Sequence, residues 1–286
     1  MALGVYITFR LLDFADLTVD GSIATGAALS VMLIRAGVSP IATLPIAFLA
    51  GALAGMVTGL LNTALGIPGI LASILTQISL YSINLNIMGK ANQPVSVDNY
   101  PLVVSLRYVT DGSVSRLLFF LGMIVFLLAL IAVMYWYFGT EQGHAIRATG
   151  CNSNMARAQG INTNFIKVLA LMISNGLVGL CGALYGQFQG ASDVNMGRGA
   201  IVIGLAAVII GEVLFGKFAS KRKLAFAFTL ASVILGAVIY YMVYQFVLWL
   251  KMPSEDMKLF SAIVVAIFLA IPYLKEKRTL RKGASK

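Results

Sequence analysis

Three carboxylates lie close together near the start of the chain, at Asp13, Asp16 and Asp20, with apolar segments on both sides. Carboxylates at membrane depth are costly and usually face a cavity or a partner. A broken helix whose backbone lines a water-filled path is one common setting for them. A short interfacial loop, in which Asp16 or Asp20 caps the next helix, accounts for the pattern equally well. The cluster therefore predicts either part of a transport path or a helix cap.

Other polar side chains are isolated within long apolar segments. Glu212 can form an ion pair with Lys217 or Arg222, or it can act in the path or its gating. Amide side chains within apolar helices more often bond to another helix than to a ligand. Weaker path candidates on these grounds are Asn62, Gln77 and Asn84, and Asn175 is of the same kind.

The motifs of soluble catalysis are incomplete. Residues 211–217 have the spacing of a phosphate-binding loop, but Phe218 stands where Ser or Thr would ligate magnesium, and the segment is an apolar helix rather than a turn after a strand. His144 is the lone histidine and has no partner at ligand or triad spacing. We therefore expect no catalytic residue, no metal site and no cofactor.

The segments that must position these residues are unusually apolar. Fifty-four residues between Arg35 and Lys90 carry no charge, and hydrophobic residues make up 59% of the chain against 11% charged. A helix needs about 20 apolar residues to cross a bilayer. The sequence therefore predicts an all-α, polytopic transmembrane bundle that contacts membrane lipid. The net charge of +10 is interpreted as membrane topology rather than nucleic-acid binding.

Hydropathy predicts about eight or nine membrane segments, with a broken helix near the N-terminus. The first is too short to span and is typical of the second half of a helix, which leaves room for an N-terminal portion ahead of Met1; a cleavable signal peptide is not expected. Gly66 and Pro68 separate the third segment from the fourth. The segments are Met1–Phe9, Ser22–Ile34, Ile41–Leu65, Ile67–Gly89, Leu117–Phe138, Phe165–Gln189, Gly199–Gly216, Leu224–Leu250 and Leu259–Tyr273.

Lysine and arginine indicate the orientation. Residues 139–167, 217–223 and 275–286 together carry thirteen of them, whereas the alternating loops 190–198 and 251–258 carry three. Positive loops stay in the cytoplasm, so the C-terminus is expected there and residues 90–116 form the largest external loop. We expect Cys151 and Cys181 to be reduced.

Small residues recur at every fourth position in two segments. One stripe is Ala47, Gly51, Gly55 and Gly59, and the other is Gly182, Gly186 and Gly190. Such stripes let helix backbones approach closely. The contact can be made within the chain or, as the alternative, in a dimer interface.

The most specific stretch is the positive loop at residues 139–164. Asn152 or Ser153 can cap a short helix, and Gly160 can end it in a left-handed turn. A solvated connector needs no such fixed start and stop, whereas a knob that docks into another protein does.

This loop resembles the coupling loop of the branched-chain amino acid/ribose-type permeases of ATP-binding-cassette importers, whose transmembrane domains are type II. The early Asp-rich segment and the Gly66-Ile67-Pro68 turn are similar to that family too, so the resemblance covers most of the chain. The matching loop positions are Gly143, Ala145, Ile146, Arg147, Ala148, Gly150, Asn152, Ala156, Gly160, Ile161 and Asn162.

The resemblance implies a single permease domain over residues 1–286 that is not itself an enzyme. Its partners would be a cytoplasmic ATP-binding subunit, an extracytoplasmic substrate-binding protein and a second permease subunit in a homodimer. Docking in a groove of the ATPase would fall to the segment around the short helix, with Met155 and Ala156 as apolar contacts. The residues concerned are Arg147, Asn152, Ser153, Met155, Ala156, Arg157 and Gly160.

The solute is less closely defined. The Asp-rich segment and residues 198–204 most resemble a subgroup associated with amino acids, including aromatic ones, so an aromatic or branched-chain amino acid is expected. A sugar or nucleoside stays open, because the sequence offers no diagnostic charge pair for the two ends of an amino acid. A secondary transporter is a weaker alternative, since it would need more intramembrane ionisable residues than Glu212 in the later spans.

Overall fold

A computed structural model describes residues 1–96, 99–100, 102–105, 116–219 and 225–249, with isolated helical residues at 263, 266 and 270. The chain divides into two compact units, of which the first extends to Ile201 and the second begins at Val202. The polar features discussed below lie in the first unit, with the exception of Glu212.

Helices make up nearly all of the described chain. They are α1 (Ala2–Tyr6), continued by a π-helical turn (Ile7–Leu11), α2 (Thr18–Arg35), α3 (Pro40–Thr63), α4 (Gly69–Met88), α5 (Arg116–Phe138), α6 (Glu141–Cys151), α7 (Ser153–Ala158), α8 (Thr163–Gln189), α9 (Ala200–Ala219) and α10 (Ala225–Trp249). Two short strands, β1 (Asn92–Pro94) and β2 (Ala191–Asp193), pair antiparallel.

The predicted class of a polytopic helical membrane protein is confirmed. Five described helices are long and apolar enough to cross a membrane, namely α3, α4, α8, residues 117–138 of α5 and residues 225–246 of α10. Shorter apolar helices cover Ala2–Leu11 and Ala200–Gly216. Each predicted segment before residue 250 corresponds to a helix, while Leu259–Tyr273 lies largely outside the described residues.

The predicted break near the N-terminus lies between the π-helical turn and α2. Residues 12–17 leave the helical path there, and Asp13 adopts a left-handed backbone with φ of 53°. The amide of Phe14 donates to the carbonyl of Thr8, which folds the segment back along the preceding turn. α2 therefore starts afresh, with its own N-terminal amides to satisfy.

The two stripes of small residues form the centre of the first unit. A Cβ added at Gly55 would lie 2.2 Å from the carbonyl oxygen of Leu171 on α8, and one at Gly182 would lie 2.0 Å from that of Ile23 on α2. The stripe on α3 thus packs on α8, and α8 packs on α2 through Gly182 and Gly186. The intrachain alternative is confirmed for these contacts, and a dimer interface built on the stripes is wrong because other helices of the same chain already cover them.

Buried polar side chains fasten the same three helices. The amide nitrogen of Gln187 on α8 donates to Ser30 Oγ at 3.0 Å and to Thr43 Oγ1 at 3.2 Å, and these two hydroxyls lie 2.9 Å apart. The oxygen of Gln187 accepts from the amide of Val103. All three hydroxyl- or amide-bearing residues are fully buried, and each finds a partner.

After β2, residues 194–199 return alongside α2 before α9 begins, and we call them the returning segment. Val194 packs with Ala28 and Met88, and a Cβ at Gly197 would lie 1.9 Å from the carbonyl oxygen of Asp20. The sequence predicted residues 190–198 to be a connecting loop.

In the second unit, Gly211 packs on Ser232 and Gly236 on Ala207, which joins α9 and α10 as a closely packed hairpin.

Candidate functional site

The three aspartates of the N-terminal cluster occupy different environments. Asp13 is exposed in the turn before α2, whereas Asp16 is 2% exposed. Asp16 Oδ1 accepts the amide of Thr18 at 3.0 Å, and its Oδ2 accepts the side-chain amide of Asn175 at 2.6 Å. Asp16 therefore accepts the first amide of α2 from one position before the N-cap residue Leu17, close to the capping role that the sequence allowed as an alternative. Asn175 makes the interhelical bond expected of a buried amide.

Asp20 lies half-buried in the first turn of α2 and faces the returning segment. Its Oδ2 accepts the amide of Gly199 and its Oδ1 the amide of Ile201, each at 2.9 Å. These donors are at the beginning of α9, where helical amides have no partner within their own helix. A carboxylate at a helix N-terminus is also favoured by the helix dipole. Asp20 thus fixes the start of α9 from another part of the chain.

Beside Asp20 the structure has a cavity of about 320 Å³. Its wall is formed by residues of α2, of α4 and of the returning segment. The lining residues are Asp20, Gly21, Ala24, Gln77, Ile78, Tyr81, Ser82, Asn84, Val194, Asn195 and Arg198. Of the predicted path residues, Asp20, Gln77 and Asn84 are therefore brought together.

Asn84 is the most unusual residue of this wall. It is fully buried, yet neither its amide nitrogen nor its amide oxygen has a hydrogen-bond partner among the residues that the structure describes. A buried polar group without a partner costs about 1–3 kcal/mol. A fully buried amide without a partner at the edge of a cavity is explained most simply if it bonds to something other than the described protein.

Arg198 completes the cavity and was missed as a site residue by the sequence reasoning. It lines the same cavity as Asp20, although 178 positions separate them in the chain. The sequence pattern offered no pair of opposite charges for the two ends of an amino acid, which left the identity of the solute open. The structure brings such a pair, Asp20 and Arg198, to one cavity. The available signal was the run of Gly197, Arg198 and Gly199 next to a predicted span, which allows the backbone to return into the bundle.

The remaining predicted path residues lie elsewhere. The side-chain amide of Asn62 donates to the carbonyl of Ile67 at 2.8 Å, which holds the turn between α3 and α4. Glu212 is half-buried in α9 in the second unit. Its predicted alternative partners, the side chain of Lys217 and Arg222, lie outside the described residues.

The loop with coupling-loop character folds as two consecutive helices, α6 and α7. The Oδ1 atom of Asn152 accepts the amides of Asn154 at 3.1 Å and Met155 at 3.0 Å, so Asn152 caps α7 as predicted. Gly160 has φ of +84°, the left-handed stop that the sequence predicted. The amide of Ile161 donates back to the carbonyl of Ala156, which closes the helix end.

The outward face of this loop differs from the predicted one. Ala156 is only 3% exposed and packs within the chain, while Met155 is 63% exposed. The guanidinium of Arg147 donates to the carbonyl of Phe138 and lies 5.8 Å from the centre of its ring. Ala156 is therefore corrected from a docking contact to a supporting residue, because a six-residue helix that rests on its neighbours must bury one side. The docking role of Arg147, which is half-buried on α6, stays a prediction. Met155 and Arg157 remain exposed, and Ser153 is half-buried.

Comparison with known proteins gives one family match along nearly the whole chain. The family model described as "Branched-chain amino acid transport system / permease component" matches residues 1–272. The match includes the Asp-rich segment, the cavity and the loop at residues 139–164.

Individual relatives agree with this match. The chain is 41% identical over 94% of its length to a tyrosine transport system permease protein of Clostridioides difficile, 86% of which it covers. It is 31% identical over 94% of its length to an uncharacterised protein of Rickettsia prowazekii, 92% of which it covers. It is 28% identical over 82% of its length to an autoinducer 2 import system permease protein of Yersinia pseudotuberculosis, 62% of which it covers. The search of solved structures found no significant match.

Proposed function

Since the chain belongs to the family of branched-chain amino acid transport permeases, we propose that it forms the solute path of an ATP-driven importer whose solute is an amino acid. The observation that carries the amino-acid assignment is the 41% identity to a tyrosine transport permease along almost the whole chain. We expect an aromatic amino acid to be the preferred solute.

The partners follow from the same proposal. A permease of this family works with a separate ATP-binding subunit and a substrate-binding protein, and ATP hydrolysis takes place on the former. A second copy of the permease completes the path. Because the small-residue stripes are covered within the chain, the contact between copies must use other surfaces; α5 and α4 offer many exposed apolar side chains for this contact or for lipid.

The ATPase contact is assigned to the exposed face of α7. Its support is the defined start at Asn152 and stop at Gly160, which present a short helix at a fixed position. Met155 is the apolar side chain that this face offers, and Arg157 flanks it. Asn152, Ser153 and Gly160 shape the helix, and the buried Ala156 packs it against the rest of the chain. Arg147 bonds α6 to Phe138 at the end of α5.

The proposed orientation places residues 139–164 and the C-terminus in the cytoplasm and residues 90–116 outside. Residues 139–167, 217–223 and 275–286 carry thirteen lysines and arginines, whereas the loops 190–198 and 251–258 carry three and residues 90–116 carry three more, which supports this orientation. The hairpin of α9 and α10 would then carry residues 217–223 on the cytoplasmic side.

Uptake by the assembled system tests the function. The permease is co-expressed with an ATP-binding subunit and a substrate-binding protein of the same importer family, and the complex is reconstituted with ATP inside the vesicles. We expect accumulation of labelled L-tyrosine that requires both partners. Uptake of autoinducer 2 and of no amino acid would instead favour the function of the autoinducer 2 permease relatives. That function stands as the second candidate because of the 28% identity over 82% of the chain.

A further inference from the structure

The cavity between α2, α4 and the returning segment combines three features that no helix-packing role requires. It is lined by a carboxylate-bearing residue, Asp20, and by a guanidinium-bearing residue, Arg198. It is bordered by Asn84, a fully buried amide without a partner among the described residues. It also has an aromatic side chain at Tyr81, which is 43% exposed.

The size of the cavity suits a small solute. Its volume of about 320 Å³ lies at the lower end of the range of about 300–1,000 Å³ usual for small-molecule sites. A single amino acid fits such a volume, whereas a peptide does not. The wall combines polar side chains with apolar ones such as Ile78 and Val194, as sites for small molecules do.

Asp20 keeps capacity for a ligand despite its structural bonds. Each of its carboxylate oxygens accepts one backbone amide, from Gly199 and Ile201. A carboxylate oxygen has two lone pairs, so each can accept one further donor. An ammonium group placed in the cavity could therefore bind Asp20 without disturbing the start of α9.

We propose that this cavity is the subsite of the path that holds a zwitterionic amino acid during passage. Arg198 binds the α-carboxylate and Asp20 binds the α-ammonium. Asn84 bonds the polar atoms of the solute through the amide donor and acceptor that have no partner among the described residues. Tyr81 and Ile78 contact the solute side chain. The inference rests on the proposed amino-acid transport and assigns residues and a ligand class to it.

Asn84→Leu is the most discriminating variant. It removes an amide that makes no protein hydrogen bond among the described residues and replaces it by a side chain of similar size, so folding should be unaffected or improved. We expect the maximal rate of L-tyrosine uptake to fall by about tenfold or more, the usual consequence of losing one strong polar contact. The matched control is Asn86→Leu, because Asn86 is exposed on the same helix and does not line the cavity.

Two variants at Arg198 provide a second test of the subsite. Arg198→Gln should lower the maximal rate similarly, and Arg198→Lys should restore much of it because the positive charge is kept. The apparent KM should change little in both cases, since the binding protein sets the affinity for external solute. ATP hydrolysis stimulated by the loaded binding protein should stay within about twofold, which separates a path defect from lost assembly.

The outcomes distinguish the two levels of the proposal. If wild-type vesicles accumulate L-tyrosine and the Asn84→Leu and Arg198→Gln variants do so at the wild-type rate, the subsite is wrong while the transport function stands. If wild-type vesicles take up no amino acid, the proposed function and the subsite both fail. Equal slowing by Asn86→Leu and Asn84→Leu would also overturn the subsite, because the effect would then belong to α4 as a whole.

Discussion

Two polar regions of the first unit lie on different faces of α2 and differ in how completely they are hydrogen-bonded. On the face toward α8, Asp16 and Ser22 both bond to Asn175, at 2.6 Å and 2.7 Å, and the group is buried. On the face toward α4, Asp20 and Arg198 line a cavity and Asn84 has neither donor nor acceptor satisfied within the described chain. Both regions contain acids and amides, so composition alone does not separate structure from function. The difference teaches that a completely hydrogen-bonded group holds helices together, whereas the incompletely bonded group at Asn84 is the one for which we propose a solute.

The largest loss of stability is expected at the close backbone contact between α8 and α2, where Gly182 packs on Ile23. Gly182→Ala would place a Cβ 2.0 Å from the carbonyl oxygen of Ile23, so α2 and α8 must separate. We expect a loss of about 3 kcal/mol or more, at the upper end of overpacking costs, seen as a lower melting temperature in detergent. Gly122→Ala is the control, because nothing lies within 4 Å of its added Cβ. Equal melting temperatures of the two variants would contradict this packing.

The second-largest loss of stability is expected in the hydrogen-bonded group of Asp16, Ser22 and Asn175. Asn175→Leu would leave the Asp16 carboxylate and the Ser22 hydroxyl without their shared partner. We expect a loss of about 2–3 kcal/mol of stability, since a hydrogen bond to a charged group is among the stronger ones. The comparison with Asn84→Leu is the sharpest available, as both variants replace a fully buried asparagine by leucine. If both lower the melting temperature equally, the distinction between the two regions is lost.

A smaller effect is expected at the boundary between the regions. Asp20→Asn keeps one oxygen acceptor and so retains one of the two bonds to the start of α9, at a cost of about 1–2 kcal/mol. Faster hydrogen exchange at the amides of Gly199 and Ile201 would report it. Asp13→Asn is the control, because asparagine tolerates the left-handed backbone found there. Unchanged exchange in Asp20→Asn would show that Asp20 does not fix this helix start.

The smallest effect on stability is expected on the exposed side of α7. Met155→Glu changes a side chain that is 63% exposed, so the melting temperature should stay the same while co-purification of the ATPase falls. Ala156→Glu should instead lower stability, because Ala156 is buried within the chain. Asn164→Glu adds the same charge beyond the end of α7 and should leave both properties unchanged. Full ATPase recovery with Met155→Glu would remove this face from the contact.

Much of the fold follows from local sequence, whereas the site depends on distant partners. The charge-free segments had no polar face, so membrane helices were the available solution, and Asn152 and Gly160 fixed α7 by chemistry within a few residues. The stripe at Gly51 and Gly55 predicted close contact but could not name its partner. Arg198 could not be placed beside Asp20 because that proximity arises from the return of the chain after β2. Asn84 lacks a hydrogen-bond partner among the described residues, and this depends on all the side chains around it, which residue spacing cannot predict.

The bonds that fasten α2 and α3 to α8 also determine an order of events during synthesis. Asp16, Ser22, Ser30 and Thr43 bond to partners on α8 that lie 144 to 159 residues further along the chain. At about 5–20 residues per second, translation delivers those partners on the order of ten seconds later. During that interval the early helices carry polar groups in the bilayer whose partners on α8 do not yet exist. A nascent chain that stops before Thr163 should therefore remain with the insertion machinery or be degraded, and release into the lipid should follow the arrival of α8.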